Sequence, residues 1–222
     1  MAVCLVALTA LGARAAGTAA AEAANVAAAV QTFYDQTQDV SARFSQVYVH
    51  KLYNRTERSQ GQVVFQKPGK MRWDYASPNG KVIVADGNTL QVFDPGEGED
   101  EPPQLLVQDM KTAQLPNAMA FLMGTGRLED DFAFRLLDRD HKVFPGGSVL
   151  ELRPKVATPH YDRILFYVSS AAKTRGLVQR LIIVDAVGNR NRFDFAALKF
   201  NTDVANSRFD FDPPAGTRRV QP

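Results

Sequence analysis

The chain has 222 residues, 45% of them hydrophobic and 23% charged, enough for one sizeable domain with a buried core. Twenty-six Lys and Arg against 24 Asp and Glu leave a net charge of +2, which excludes nucleic-acid binding by phosphate neutralisation alone. One cysteine and three histidines exclude an internal disulfide, a Cys-rich zinc site and an iron–sulfur cluster, and leave little for a His-built metal centre.

Met1 to Leu11 holds one polar residue, Thr9, and no charge, and a small-residue run follows it. The stretch is too short to anchor in a bilayer, and Ala13-Arg14-Ala15 supplies an A-x-A site. Residues 1–21 therefore read as a secretory signal peptide and 22–222 as a single domain, although the positive n-region is missing. Cys4 would leave with the leader, and it is misplaced for lipid attachment. From Glu22 a helical pattern begins, with Val26, Val30, Phe33 and Thr37 on one face, ending near Asp39.

Beyond Val40 the pattern turns to β. Candidate strands are Ala42–His50, Gly61–Lys67, Lys70–Tyr75, Lys81–Asp86, Thr89–Asp94 and Pro103–Gln108, then Asp131–Leu137, Ser148–Arg153, Arg163–Ser169, Leu177–Asp185, Arg190–Phe200 and Arg208–Phe211. Tight turns such as Pro68-Gly69, Asn79-Gly80 and Gly188-Asn189 separate many of them, so the sheet is expected to be an antiparallel meander. A second helix is predicted within Lys111–Gly126, from the start signal Pro116 to the stop at Gly124, with Ala118, Met119, Leu122 and Met123 on one face. The fold class is mainly β, with roughly eleven or twelve strands in a sheet that must curl.

In Met71-Arg72-Trp73-Asp74-Tyr75 the alternation puts a thioether, an indole and a phenol on one face. Phe193/Phe195 and Phe209/Phe211 make similar stripes. Two readings stay open: an ordinary core, or a cavity for a hydrophobic ligand with the amphipathic helices as a lid. Met119, Phe121 and Met123 suit such a lid, because methionine adapts to variable apolar shapes.

Catalytic patterns are thin. The sequence holds no G-x-S-x-G elbow, H-E-x-x-H motif, Walker loop or G-x-G-x-x-G. His50, His141 and His160 lack ligand spacing, and the acidic stretch from Asp94 to Glu101 lacks the alternating oxygens of a calcium loop. No enzyme, metal or cofactor is expected.

Several segments then resemble one family in its own order: Ala42-Arg43-Phe44-Ser45-Gln46, Gly61, Lys67-Pro68-Gly69-Lys70-Met71-Arg72-Trp73-Asp74-Tyr75, Pro78, the Asp86-Gly87 turn, Leu90 to Asp94, Asp185 to Asn189, and Phe209 to Gly216. The chain resembles the LolA family of periplasmic outer-membrane lipoprotein carriers. The resemblance implies an unclosed antiparallel β-barrel with helices forming a lid over an apolar cavity. It implies a lipid-binding cavity lined by Phe65, Met71, Trp73, Tyr75, Met119, Leu122 and Met123. Lys67 stands where the family has an arginine that hydrogen-bonds to the lid and holds it shut, and Met71 stands where the family has a phenylalanine.

The implied function is to bind the acyl chains of lipoproteins released by an inner-membrane ABC transporter and deliver them to an outer-membrane acceptor. The carrier would be a periplasmic monomer, with no nucleic acid and no cofactor. The alternative is a periplasmic lipid- or lipoprotein-sensing regulatory module on the same half-barrel.

Overall fold

Alanine is the strongest helix former, and the alanine-rich N-terminal run carries α1 from Ala7 to Asp35 without a break. The expected start at Glu22 is thus too late and the expected end at Asp39 too late by a turn. Thr37 donates its hydroxyl back to the Phe33 carbonyl at 2.8 Å, and Asp39 already belongs to the first strand. The structure, a computed structural model, describes residues 7–96, 101–111, 121, 126–138 and 140–221, with side chains from residue 17 onward. Most of the helix expected in Lys111–Gly126 lies outside the described residues, including Met119, Leu122 and Met123.

Among the described residues, twelve strands form one sheet: β1 (Asp39–His50), β2 (Arg55–Gln66), β3 (Lys70–Tyr75), β4 (Val82–Asp86), β5 (Thr89–Asp94), β6 (Gln104–Asp109), β7 (Phe132–Leu136), β8 (Gly147–Pro154), β9 (Arg163–Ser169), β10 (Val178–Val184), β11 (Arg190–Phe200) and β12 (Arg218–Val220). Their order is β12-β6-β5-β4-β3-β2-β1-β11-β10-β9-β8-β7, so β7 and β12 are edges that never meet. The barrel is open. A single helical turn, α2 (Leu128–Asp131), leads into β7 where the sequence suggests the strand already begins.

Two expectations fail near the C-terminus. Arg208–Phe211 is not a strand: Asn206–Phe209 forms a 3-10 turn, and the chain instead crosses the outer face of the sheet. There Phe209 packs with Val64 and Val84, beside Phe211, Val82 and Val204. The last strand, β12, pairs in parallel with β6, the one parallel pair among the described strands, and β1 pairs with β11 to join two antiparallel meanders.

Side-chain alternation divides the sheet into an inner and an outer face. The inner face joins α1 in one large core cluster that includes Phe44, Val63, Phe65, Met71, Trp73, Leu150, Leu152, Ile164, Phe166, Leu181 and Phe193. From α1 come Ala23, Ala27, Val30 and Tyr34, spaced by four, three and four residues along one stripe. The helix lies on β7 and β8. Gly176, at φ +93°, lets the loop before β10 close on it, since a Cβ there would stand 2.2 Å from the Ala29 carbonyl oxygen.

Candidate functional site

The floor of the inner face is aromatic. Phe44 on β1 meets Trp73 and Tyr75 on β3, both edge-to-face with ring centres 4.9 Å apart. Trp73 also packs edge-on against Phe193 at 5.2 Å and Phe65 at 5.7 Å. Such pairs add about 0.5–1.5 kcal/mol each beyond their buried area. The cross-strand register places these rings together, with Phe44 opposite both Gly61 and Phe195.

Gly61, one of the family-like positions in the sequence, has a steric reason that only the structure supplies. A Cβ at Gly61 would lie 2.8 Å from the Phe44 ring and 2.1 Å from the Asp74 carbonyl oxygen. Only glycine fits there. A glycine inside a strand pattern is the signal for such a close approach.

The site residues proposed from the sequence divide into three groups. Phe65, Met71 and Trp73 are together in the core, the last two only 2% exposed. Tyr75 is half-buried, and its apolar surroundings push its phenol up to about 12. Met119, Leu122 and Met123 cannot be placed, being outside the described residues. Phe121 from the same segment can: it is buried, 5.2 Å from the Tyr34 ring and 6.5 Å from that of Phe166.

Lys67 opens the β2–β3 turn, and its Nζ donates to the Tyr34 carbonyl of α1 at 2.5 Å. Its backbone N–H donates to Gln38 at 2.9 Å. Burial lowers the Lys67 ammonium below its ordinary value, while the neighbouring Asp35 carboxylate pulls it the other way. A cation at the last turn of a helix also suits the helix dipole. Tyr34, wholly buried, has its phenol pushed well above the usual range by that burial, against a smaller opposing effect of a backbone hydrogen bond at Val178.

The junction after α1 is fixed from the other side by Asp39, which is 3% exposed. Its carboxylate accepts the N–H of Thr202 at 2.9 Å, the Thr202 hydroxyl at 2.9 Å and the N–H of Asp203 at 3.0 Å. No local pattern in the sequence announces a contact across more than 160 residues.

Two open pockets flank this framework. One, of about 830 Å³, runs along β1–β3 and is lined by Arg43, Gln62, Asp74, Asp194 and Arg208 among others. The larger of the two, about 1070 Å³, sits at the rim beside the β1–β2 hairpin, with Arg55, Glu57, Ser77, Lys81, Asp94 and Gln104 in its wall. The first also has Phe44, Gly61 and Tyr75 in its wall, so the aromatic floor reaches that opening at Tyr75 while Trp73 and Met71 stay buried beneath.

The family model described as outer membrane lipoprotein carrier protein LolA matches residues 35–212. The chain belongs to the LolA family. An outer-membrane lipoprotein carrier protein of Methylobacillus flagellatus is 28% identical over 187 residues, 84% of each chain. One from Chromobacterium violaceum is 27% identical over 202 residues, covering 91% of this chain and 90% of its own. Among solved structures, a LolA superfamily protein from Nitrosomonas europaea matches 85% of this chain and 97% of its own, at a TM-score of 0.46 and 14% identity. In LolA-family terms, the open sheet with α1 across its inner face is the half-barrel that the resemblance implies.

Proposed function

We propose that this LolA-family chain is a periplasmic carrier that holds the acyl chains of lipoproteins between the inner face of its sheet and the covering helices. It would take cargo from an inner-membrane lipoprotein-releasing ABC transporter and pass it to an outer-membrane acceptor, working as a monomer after removal of residues 1–21. One observation carries this reading. An aromatic inner floor shares one core with a helix whose last turn is hydrogen-bonded across to the β2–β3 turn by the Lys67 side chain. A cover fastened in this way can be displaced without unfolding the sheet.

The physical need is plain. Each buried methylene contributes about 0.8 kcal/mol, so free acyl chains do not cross water unaided. Phe65, Met71, Trp73 and Tyr75 supply the floor; Met119, Leu122 and Met123 would supply the ceiling. Because apolar contacts are non-directional, no covalent step or cofactor enters, and transfer follows a gradient of affinity.

The test is to add a triacylated lipopeptide to the purified protein and follow Trp73, the chain's single tryptophan. Binding should change its emission, and the loaded protein should release lipoprotein to acceptor-containing membranes. Folded protein that neither binds the lipopeptide nor takes lipoprotein from transporter-containing membranes would end this reading. Lipopeptide binding without any transfer would favour the sensing alternative.

A further inference from the structure

The turn between β1 and β2, residues 51–54, holds two large apolar side chains out in solvent. Leu52 is 82% exposed and Tyr53 77%. Hairpin turns ordinarily take Asn, Asp or Gly at such positions, for backbone reasons that leucine and tyrosine do not serve. The neighbouring β10–β11 turn adds Val187, 67% exposed. The two turns are tied together: the Lys51 N–H donates to the Asn189 side-chain oxygen at 2.9 Å, and a Cβ on Gly188 would stand 2.9 Å from the Lys51 stem.

The charges around this tip lean positive: Lys51, Arg55, Arg58 and Arg190 are all solvent-exposed, against the two carboxylates of Glu57 and Asp185. Both carboxylates are held within their own turns or strand. Glu57 is held by Arg55 at 3.2 Å and His50 at 3.3 Å. Asp185 accepts the N–H groups of Val187 at 3.1 Å and Asn189 at 2.9 Å within its own turn.

We propose that this double turn is a membrane-contact site that inserts Leu52 and Tyr53 at the surface of a bilayer rich in anionic phospholipid. The shape favours lipid over protein, because a stable protein interface buries roughly 800 Å² on each partner and two narrow turns do not offer that area. A leucine beneath the headgroups, a tyrosine at their level and a ring of cations against the phosphates match the bilayer interface. The tip also adjoins the rim pocket, whose wall includes Arg55, Glu57 and Arg58, so contact would bring that opening to the membrane. Binding is weak and reversible, as each cation near an anionic surface contributes only about fivefold in partitioning. The site goes beyond the carrier reading, and cargo-free protein tests it.

The experiment is vesicle co-sedimentation of the cargo-free protein. Vesicles of phosphatidylethanolamine with about one quarter phosphatidylglycerol are compared with pure phosphatidylcholine, as composition brackets for a strongly and a barely charged surface. Wild type and the Leu52→Asp/Tyr53→Asp variant carry the same N-terminus, so any leader contribution cancels. The wild type should partition at least tenfold more strongly onto the anionic vesicles than the variant, with the loss largest at low salt, while both unfold at the same temperature. In a second variant, Tyr53→Trp, emission should move to the blue on adding anionic vesicles. Equal sedimentation of wild type and double variant, or a Tyr53→Trp emission that stays at its solvent value, would overturn the proposal. So would loss of transporter docking in the double variant when the wild type binds no vesicles, which would assign the tip to a protein partner.

Discussion

The aromatic floor depends on the absence of one atom. With no Cβ on Gly61, the Phe44 ring can lie against β2 and reach Trp73, Tyr75 and Phe193 together. Gly61→Ala should therefore destabilise the protein by about 1–3 kcal/mol through forced movement of Phe44 and of the β3 backbone. Urea unfolding followed by Trp73 emission measures it, and an unchanged midpoint would show that the strand relaxes freely. Gly61 stands within the family-like stretch of the sequence, yet its reason is legible only once the cross-strand register is known.

At the scale of elements, the outer face of β7–β9 gathers charge around one carboxylate. Glu151 on β8 is 3% exposed and faces Arg135 at 2.8 Å, Arg153 at 3.4 Å and Arg163 at 3.6 Å. Burial alone would raise its carboxyl, but the hydrogen bond and charge of Arg135, with help from Arg153, outweigh it and hold the group below the ordinary 4.5. A depressed carboxylate stabilises the fold above its unfolded value and loses that contribution as pH falls through the folded one. Thermal stability should thus fall below about pH 4.5 in the wild type. Glu151→Gln should cost about 1–3 kcal/mol at neutral pH, since the exposed guanidinium groups regain water, and should flatten the acid slope. Melting curves from pH 7 to 3 check both; an unaltered slope would remove Glu151 from the acid response.

The strands differ in how far the sequence exposes them. Lys70–Tyr75, Thr89–Asp94, Arg163–Ser169 and Arg190–Phe200 have the bounds expected from alternation and turn residues. The first half of β2, Arg55–Gln60, is polar throughout and carries no such period, although its pairing with β1 extends to His50–Arg55. Arg218–Val220 is three residues long and exists by virtue of a distant edge, β6. Phe209 and Phe211 have the spacing of a strand face, but the long-range hydrogen bonds of Arg72 to the carbonyls of Arg208 and Asp210 hold that segment across the outside. Of the candidate site, the Met71–Trp73–Tyr75 stripe was readable from period two alone. The Lys67–Tyr34 contact was not, because 33 residues separate its partners and only the resemblance pointed to it.

For the whole molecule, the proposed carrier role makes cargo binding and closure compete for one equilibrium. The bond from Lys67 to Tyr34 is made by an ionised donor to a carbonyl and contributes about 1.5–3 kcal/mol when formed. Lys67→Leu should remove it and shift the population toward the open form by about tenfold or more. Cargo-free variant protein should bind more of an environment-sensitive apolar dye, and loaded variant should release lipoprotein to acceptor membranes more slowly. If dye binding and release both match the wild type, Lys67 is a structural lysine of the β2–β3 turn and closure lies elsewhere.

The two unjoined edges of the sheet have a final consequence. A closed barrel has a diameter set by its strand number and shear, so its interior volume is a constant of the fold. Here β7 and β12 are free of one another, and α1 is seated on β7–β8 with its last turn hydrogen-bonded to Lys67 at the β2–β3 turn. Loss of that bond would leave every strand pairing intact. Under the proposed carrier role, an unclosed sheet would let the enclosed volume follow the cargo, so that one framework could serve lipoproteins that differ in the number and length of their chains.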